Sequence, residues 1–182
     1  LDNSGTIDDK DRTAIGNPYP DLNLGLNINL TYKDFDFSTS FYASLGGDNF
    51  CNTKFRHTTA KNDFNVFKGV YNSVWREGNE RNATMPRLSG VDLNGNLSKV
   101  STYFVEDASF LRCRSMQLGY TIPKKFWGMS KLRVYASVEN LFVITGYSGQ
   151  DPEVGGSTLS AGIDNGLYPQ PRTYIFGLKM SF

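Results

Sequence analysis

Residues 22–33 read LNLGLNINLTYK, with Leu22, Leu24, Leu26, Ile28, Leu30 and Tyr32 on one parity and Asn23, Gly25, Asn27, Asn29, Thr31 and Lys33 on the other. No residue breaks the period of two, at which a β-strand turns successive side chains to opposite faces. Any fold must therefore give this segment one apolar and one polar environment. After Asp34 the pattern resumes in FDFSTSFYASL, where Phe35, Phe37, Thr39, Phe41, Ala43 and Leu45 oppose Asp36, Ser38, Ser40, Tyr42 and Ser44. Lys33-Asp34 between them reads as a tight hairpin corner.

The same period returns over about 110–122, with Met116, Leu118, Tyr120 and Ile122 opposite Ser115, Gln117, Gly119 and Thr121. It returns again over 132–142 and over the final segment, where Tyr174, Phe176, Leu178, Met180 and Phe182 share a parity to the last residue. The spacing predicts an all-β chain of five antiparallel strands joined by short, very long, short and long connections. An aromatic content of 14% suits strands rather than helices. Between 46 and 109 the alternation gives way to a tract rich in Asn, Gly, Ser and charge, with a short amphipathic segment around NVFKGVYNSVW.

Two settings satisfy such alternation. In a soluble sandwich the apolar face packs on a second sheet; in a membrane barrel it meets lipid while the polar face lines a wet lumen. Alternating short turns and long loops match the barrel. Ten residue steps from Leu22 to Tyr32 span about 33 Å, which a strand tilt near 40° projects to about 25 Å, the height of a lipid-facing band. Tyr32, Phe35, Phe37, Tyr120, Phe126, Trp127 and Phe182 gather at the short-turn end, as an interfacial aromatic girdle requires. The mean hydropathy of −0.39 is compatible, because only alternate strand residues need be apolar. Five strands do not close on themselves, so the chain is expected to be a piece of a larger protein.

Nineteen basic against eighteen acidic residues give no support to nucleic-acid binding. His57 is the single histidine, without a neighbouring nucleophile motif, and no enzymatic activity is expected. Cys51 and Cys113 fit either a disulfide in an oxidising compartment or two unrelated thiols.

Four stretches, IGNPYPDLNLGLN (15–27), YFVEDASFLRCRSMQLGYTIP (103–123), LRVYASVENLFVITGYSGQDPEVG (132–155) and DNGLYPQPRTYIFGLKMSF (164–182), resemble the C-terminal portion of SusC/RagA-family TonB-dependent outer-membrane transporters. The resemblance covers nearly the whole chain apart from about 46–100. It implies the last five strands of a 22-stranded transmembrane β-barrel whose N-terminal plug has no counterpart here. On this reading 22–45 and 110–142 are hairpins, 172–182 is the terminal strand, and 1–21, 46–109 and 143–171 are extracellular loops. It also implies a bacterial outer-membrane location with a periplasmic C-terminus. The implied activity is import of oligosaccharides or peptides under a SusD-like lipoprotein lid, energised by TonB. A terminal aromatic, here Phe182, resembles the signal read by the barrel-assembly machinery. The alternatives are a non-transporting outer-membrane barrel for adhesion or structure, and a secreted carbohydrate-binding sandwich.

Candidate substrate contacts are polar-face residues, among them Asn23, Asn27, Asn29, Tyr42, Gln117, Tyr135 and Glu139, although a lining that merely stays hydrated needs the same chemistry. Loop aromatics Phe64, Phe67, Tyr71, Trp75, Tyr147 and Tyr168 are candidates for stacking on a ligand or meeting the lid, with self-packing as the alternative. Arg87 and Arg172 are candidates for pairing with acidic groups. No cofactor is required. DNSGTIDDKD (2–11) resembles a calcium loop, with Asp2, Ser4, the Thr6 carbonyl, Asp8 and Asp11 at successive ligand positions around Gly5; the first ligand is missing. A solvated acidic loop is the alternative.

Overall fold

A computed structural model describes residues 9–58, 65–91, 99–123, 130–155 and 160–182. Five long strands form one antiparallel sheet. Strand β1 (Leu22–Tyr32) and β2 (Phe35–Leu45) pair residue for residue from Leu22↔Leu45 to Tyr32↔Phe35. Lys33 turns the corner with φ 54°, in the left-handed region that a two-residue hairpin demands. Strand β5 (Phe110–Ile122) lies against β2, β6 (Lys131–Thr145) against β5, and β8 (Thr173–Ser181) against β6. β6 thus runs three residues past the expected end at 142, because Thr145 still pairs with Phe110. Phe126, Trp127 and Phe64 lie outside the described residues.

The ladder slips once. Ser40↔Ser115 is followed by Phe41↔Cys113, so Arg114 is an extra residue opposite β2, and β6 answers with Asn140 at φ 51°. This bulge preserves the faces beyond it: Phe41, Cys113 and Phe142 continue the apolar side, with the two rings 6.4 Å apart. It also satisfies a hydroxyl on that side, since Thr39 Oγ1 donates to the Ser115 carbonyl at 3.0 Å. An unpaired hydroxyl there would be costly against an apolar medium.

No second sheet covers the apolar face among the described residues. Leu22, Leu24, Leu26, Leu30, Leu118 and Tyr174 are all exposed, and Phe176 and Leu178 are 81% and 65% exposed. No helix among the described residues is long and apolar enough to cross a membrane, which leaves crossing by strands open.

The buried residues gather instead beyond the long-connection end. There β3 (Asp48–Cys51) pairs antiparallel with β4 (Val105–Asp107) and parallel with β7 (Ile163–Asp164), flanked by the short helices α1 (Asn52–His57) and α2 (Val70–Ser73). The expected amphipathic segment is reduced to the single turn of α2. Phe104, 1% exposed, meets the rings of Phe50, Phe55 and Tyr103 at 5.0–6.3 Å. Burying such a ring contributes about 1.5–3 kcal/mol, and this cluster gives the loops a core that the period of two does not encode.

Candidate functional site

The polar face carries the chemistry. Near the short turns Arg133 pairs with Asp36 through two hydrogen bonds, its Nε at 2.8 Å. Gly119, between them in the ladder, makes the pair possible: a Cβ there would stand about 2.4–2.6 Å from the guanidinium and carboxylate atoms. Tyr135 lays its ring across Gly177 on β8, where a Cβ would meet ring atoms at 2.2–2.5 Å. Such a ring covers the ladder that a glycine leaves bare.

Beyond the bulge a second cluster sits where the β6–β8 connection folds back onto the sheet. Arg112, almost fully buried, donates from Nη2 to Asp151 at 2.5 Å. Arg114 donates to Glu153 at 3.2 Å and lies over the Tyr42 ring at 4.0 Å. The Tyr42 hydroxyl donates to Asn23 at 2.8 Å. Asn49 on β3 donates to the Pro152 carbonyl at 2.9 Å, so the segment is fastened to the loop module as well as to the sheet. Beside it opens a cavity of about 190 Å³ lined by Tyr42, Ser44, Asn49, Phe110, Pro152 and Glu153 among others.

A third group sits in the loops. Lys54 and both the amide and hydroxyl of Ser148 converge on the Glu106 carboxylate at 2.8–2.9 Å. Burial pushes this carboxyl up, but the hydrogen bonds from Lys54 and Ser148 outweigh it and hold it below the ordinary value. Tyr147 donates to Asp164 at 2.8 Å, while Gly166 N–H donates to the other carboxylate oxygen. Burial, with Cys51 and Asp164 close by, raises the Tyr147 phenol far above its usual range.

The candidate residues are thus dispersed. Tyr42 belongs to the arginine cluster, whereas Gln117, Tyr135 and Glu139 lie further along the polar face, with Tyr135 occupied by Gly177. Tyr147 is buried, with its hydroxyl committed to the Asp164 carboxylate, which is the self-packing arrangement weighed against ligand stacking. Trp75 stays exposed beside Tyr71 and Arg87 in an open cleft of about 480 Å³, with Arg76 stacked on Tyr71 at 3.9 Å. His57 Nδ1 donates to the Asn65 carbonyl, 2.8 Å away, and its ring packs 5.1 Å from that of Phe67. Tyr168 is exposed, and Arg172 Nε reaches the Asn140 carbonyl at 3.5 Å. Phe182 follows β8 and is 89% exposed.

Cys51 and Cys113 are both free and buried, the first beside the Thr53 hydroxyl and the second beside the Thr39 hydroxyl, the arrangement of two unrelated thiols. Of the calcium-type ligands, Asp2, Ser4, Thr6 and Asp8 lie outside the described residues, while Asp11 ends a 3-10 turn, Asp9–Asp11. Among the described residues no cluster of three metal-ligating side chains occurs.

Sequence reading missed Arg112, Arg114, Asp151 and Glu153 as a unit. Its signal was present: two arginines spaced by two on a strand and two acids spaced by two around Pro152.

No protein-family model matches the chain. Individual proteins do. TonB-dependent receptor P3 of Formosa agariphila is 32% identical over 100% of this chain, and TonB-dependent receptor SusC of Bacteroides thetaiotaomicron is 35% identical over 98% of it. The chain belongs to the SusC/RagA family of TonB-dependent receptors. It spans 18% and 17% of the length of those two relatives. A RagAB peptide importer in its closed-closed state superposes with a TM-score of 0.74 at 25% identity, over 91% of this chain and 18% of that one. In this SusC/RagA-type chain the five long strands are therefore wall strands of a transmembrane β-barrel, which accounts for the uncovered apolar face.

Proposed function

We propose that the chain is the C-terminal part of an outer-membrane importer for oligosaccharides or peptides, energised by TonB and closed on its outer side by a SusD-like lipoprotein. One observation carries the reading: all five long strands leave their apolar side open while the loops bury a core of their own. Such a division suits strands in hydrocarbon and loops in water. Strands β1 and β8 each pair on one side only among the described residues, leaving ladder edges for neighbouring wall strands.

In this orientation the short turns, with Tyr32, Phe35 and Tyr120, face the periplasm and Phe182 ends there. The Phe35 and Tyr120 rings, 4.6 Å apart, sit at the lipid boundary. The β3-β4-β7 module then lies outside the cell, and the polar face lines the lumen. Substrate captured beneath the lid passes along that face when TonB displaces the plug. The chain's role is transport rather than catalysis.

Uptake by intact cells tests the reading. Cells carrying the full-length receptor are expected to accumulate a labelled oligosaccharide or peptide mixture, and to lose that accumulation when TonB or the neighbouring lipoprotein is deleted. Accumulation indifferent to TonB overturns it.

A further inference from the structure

We propose that Arg112 and Arg114 form a binding site for the carboxylate of an acidic ligand, with the Glu153 side chain as its internal stand-in. The inference rests on the reading of the polar face as a substrate-lined lumen wall. Two arginines face two acids here, but the acids are held unequally. Asp151, 9% exposed, takes Arg112 Nη2 at 2.5 Å, the Glu153 amide at 2.9 Å and the Gln170 amide at 3.3 Å. It is fully engaged and fixes the backbone of the segment. Glu153 is 41% exposed, receives Arg114 Nη2 at 3.2 Å, and stands 3.3 Å from Arg112 Nε without hydrogen-bond geometry. Arg112 Nε is in consequence buried and without a hydrogen-bond partner. A buried donor left in that state carries a desolvation cost that a better-placed oxygen removes.

One carboxylate therefore straddles two guanidinium groups and satisfies one. Because Asp151 holds the Glu153 amide, the Glu153 side chain swings outward without releasing the segment. An incoming carboxylate then has both donors available, Arg114 Nη2 for one oxygen and Arg112 Nε for the other, each a charge-assisted hydrogen bond of the stronger class. The Arg114 plane is already set by stacking on Tyr42, so little freedom is lost on binding. The adjoining cavity of about 190 Å³, walled by Tyr42, Phe110 and Pro152, takes the atoms that carry the carboxylate. A neutral sugar offers this pair of donors only uncharged hydroxyl oxygens, which make the weaker hydrogen bonds. A peptide C-terminus and a uronic acid both do.

Titration calorimetry on the full-length receptor in detergent tests the site. The probes are acetyl-trialanine as the free acid, the same peptide as its C-terminal amide, a trisaccharide ending in glucuronic acid, and its neutral glucose counterpart. Arg114→Gln is expected to weaken an acid probe about tenfold and leave its neutral partner unchanged. Glu153→Gln, which removes the competing charge, is expected to strengthen the same acid probe several-fold. Whether the peptide or the saccharide acid responds identifies the source of the carboxylate. If neither variant changes the ratio of acid to neutral binding, or if neither acid binds, the inference is overturned. TonB-dependent uptake whose acid preference is the same in the wild type and in both variants overturns this site alone, whereas uptake independent of TonB overturns the transport reading beneath it.

Discussion

The sheet and the loop module obey opposite rules within one chain. On the sheet, large apolar side chains such as Phe176 and Leu178 stand exposed, and order comes from a ladder that pairs eleven residues of β1 with eleven of β2. In the module, short strands of two to four residues hold little ladder, and order comes from Phe104, Cys51, Tyr147 and Asp164 buried together. A sheet that leaves most of its apolar face uncovered is stable only if its surroundings are apolar, whereas a module that hides its rings and satisfies its carboxylates is built for water. The two regions are thus tuned to two solvents, and perturbations should separate them.

The largest effect is expected from Phe104→Ala. Removing a fully buried ring costs about 3–5 kcal/mol, and the loss should stay in the module. Hydrogen exchange on the full-length receptor is expected to quicken over 48–57, 102–107 and 163–164 while β1, β2, β5 and β6 keep their protection. Equal loss in the strands would break the comparison. Phe176→Arg probes the other solvent. At an exposed position in water this change is nearly neutral, within about 0.5 kcal/mol, but on a lipid-facing strand it costs about 2–4 kcal/mol near the bilayer centre. Unfolding of the receptor from lipid bilayers is expected to show the larger figure, and a neutral result would remove the hydrocarbon from the account.

The same contrast explains what was legible in advance. The strand Leu22–Tyr32 repeats with a period of two, so its faces and limits follow from local sequence. The bulge at Arg114 is less visible, because Phe110 to Ser115 carries large side chains on both parities. The module reads from sequence as a polar tract with one short amphipathic segment, since Phe50 meets Phe104 and Tyr147 meets Asp164 through contacts between distant segments, and no local period marks them. Of the candidate site, Tyr42 was legible from strand parity. The Arg112–Asp151 bond joins residues 39 apart and needed the fold-back of the connection to appear. The partner of Tyr147 is hidden for the same reason: Asp164 lies seventeen residues on.

Tyr147→Phe sharpens the module side at smaller scale. It keeps the buried ring and deletes one hydrogen bond to a carboxylate, for which about 1.5–3 kcal/mol is expected. Limited proteolysis of the loops should accelerate accordingly, with no change in the barrel's resistance to heating in detergent. Asp164 retains the Gly166 amide, so the loss should stay below that of Phe104→Ala.

The smallest effect concerns Glu106 and acid. Its carboxyl is held below its ordinary value of about 4.5, the hydrogen bonds from Lys54 and Ser148 outweighing the opposing effect of burial. A group whose folded value is depressed contributes stability that is fully present above the unfolded value, and that contribution fades as pH falls through the folded one. The Lys54–Ser148–Glu106 junction is therefore intact at neutral pH and loosens only below about 4.5. Loop proteolysis by an acid-active protease is expected to rise as pH drops across that window in the wild type. Glu106→Gln, which cannot ionise, should show weaker protection at neutral pH and a flatter dependence. The five long strands carry no part of this junction, so their exchange rates, corrected for intrinsic pH dependence, should not follow it; if they do, the sheet and the module share one stability after all.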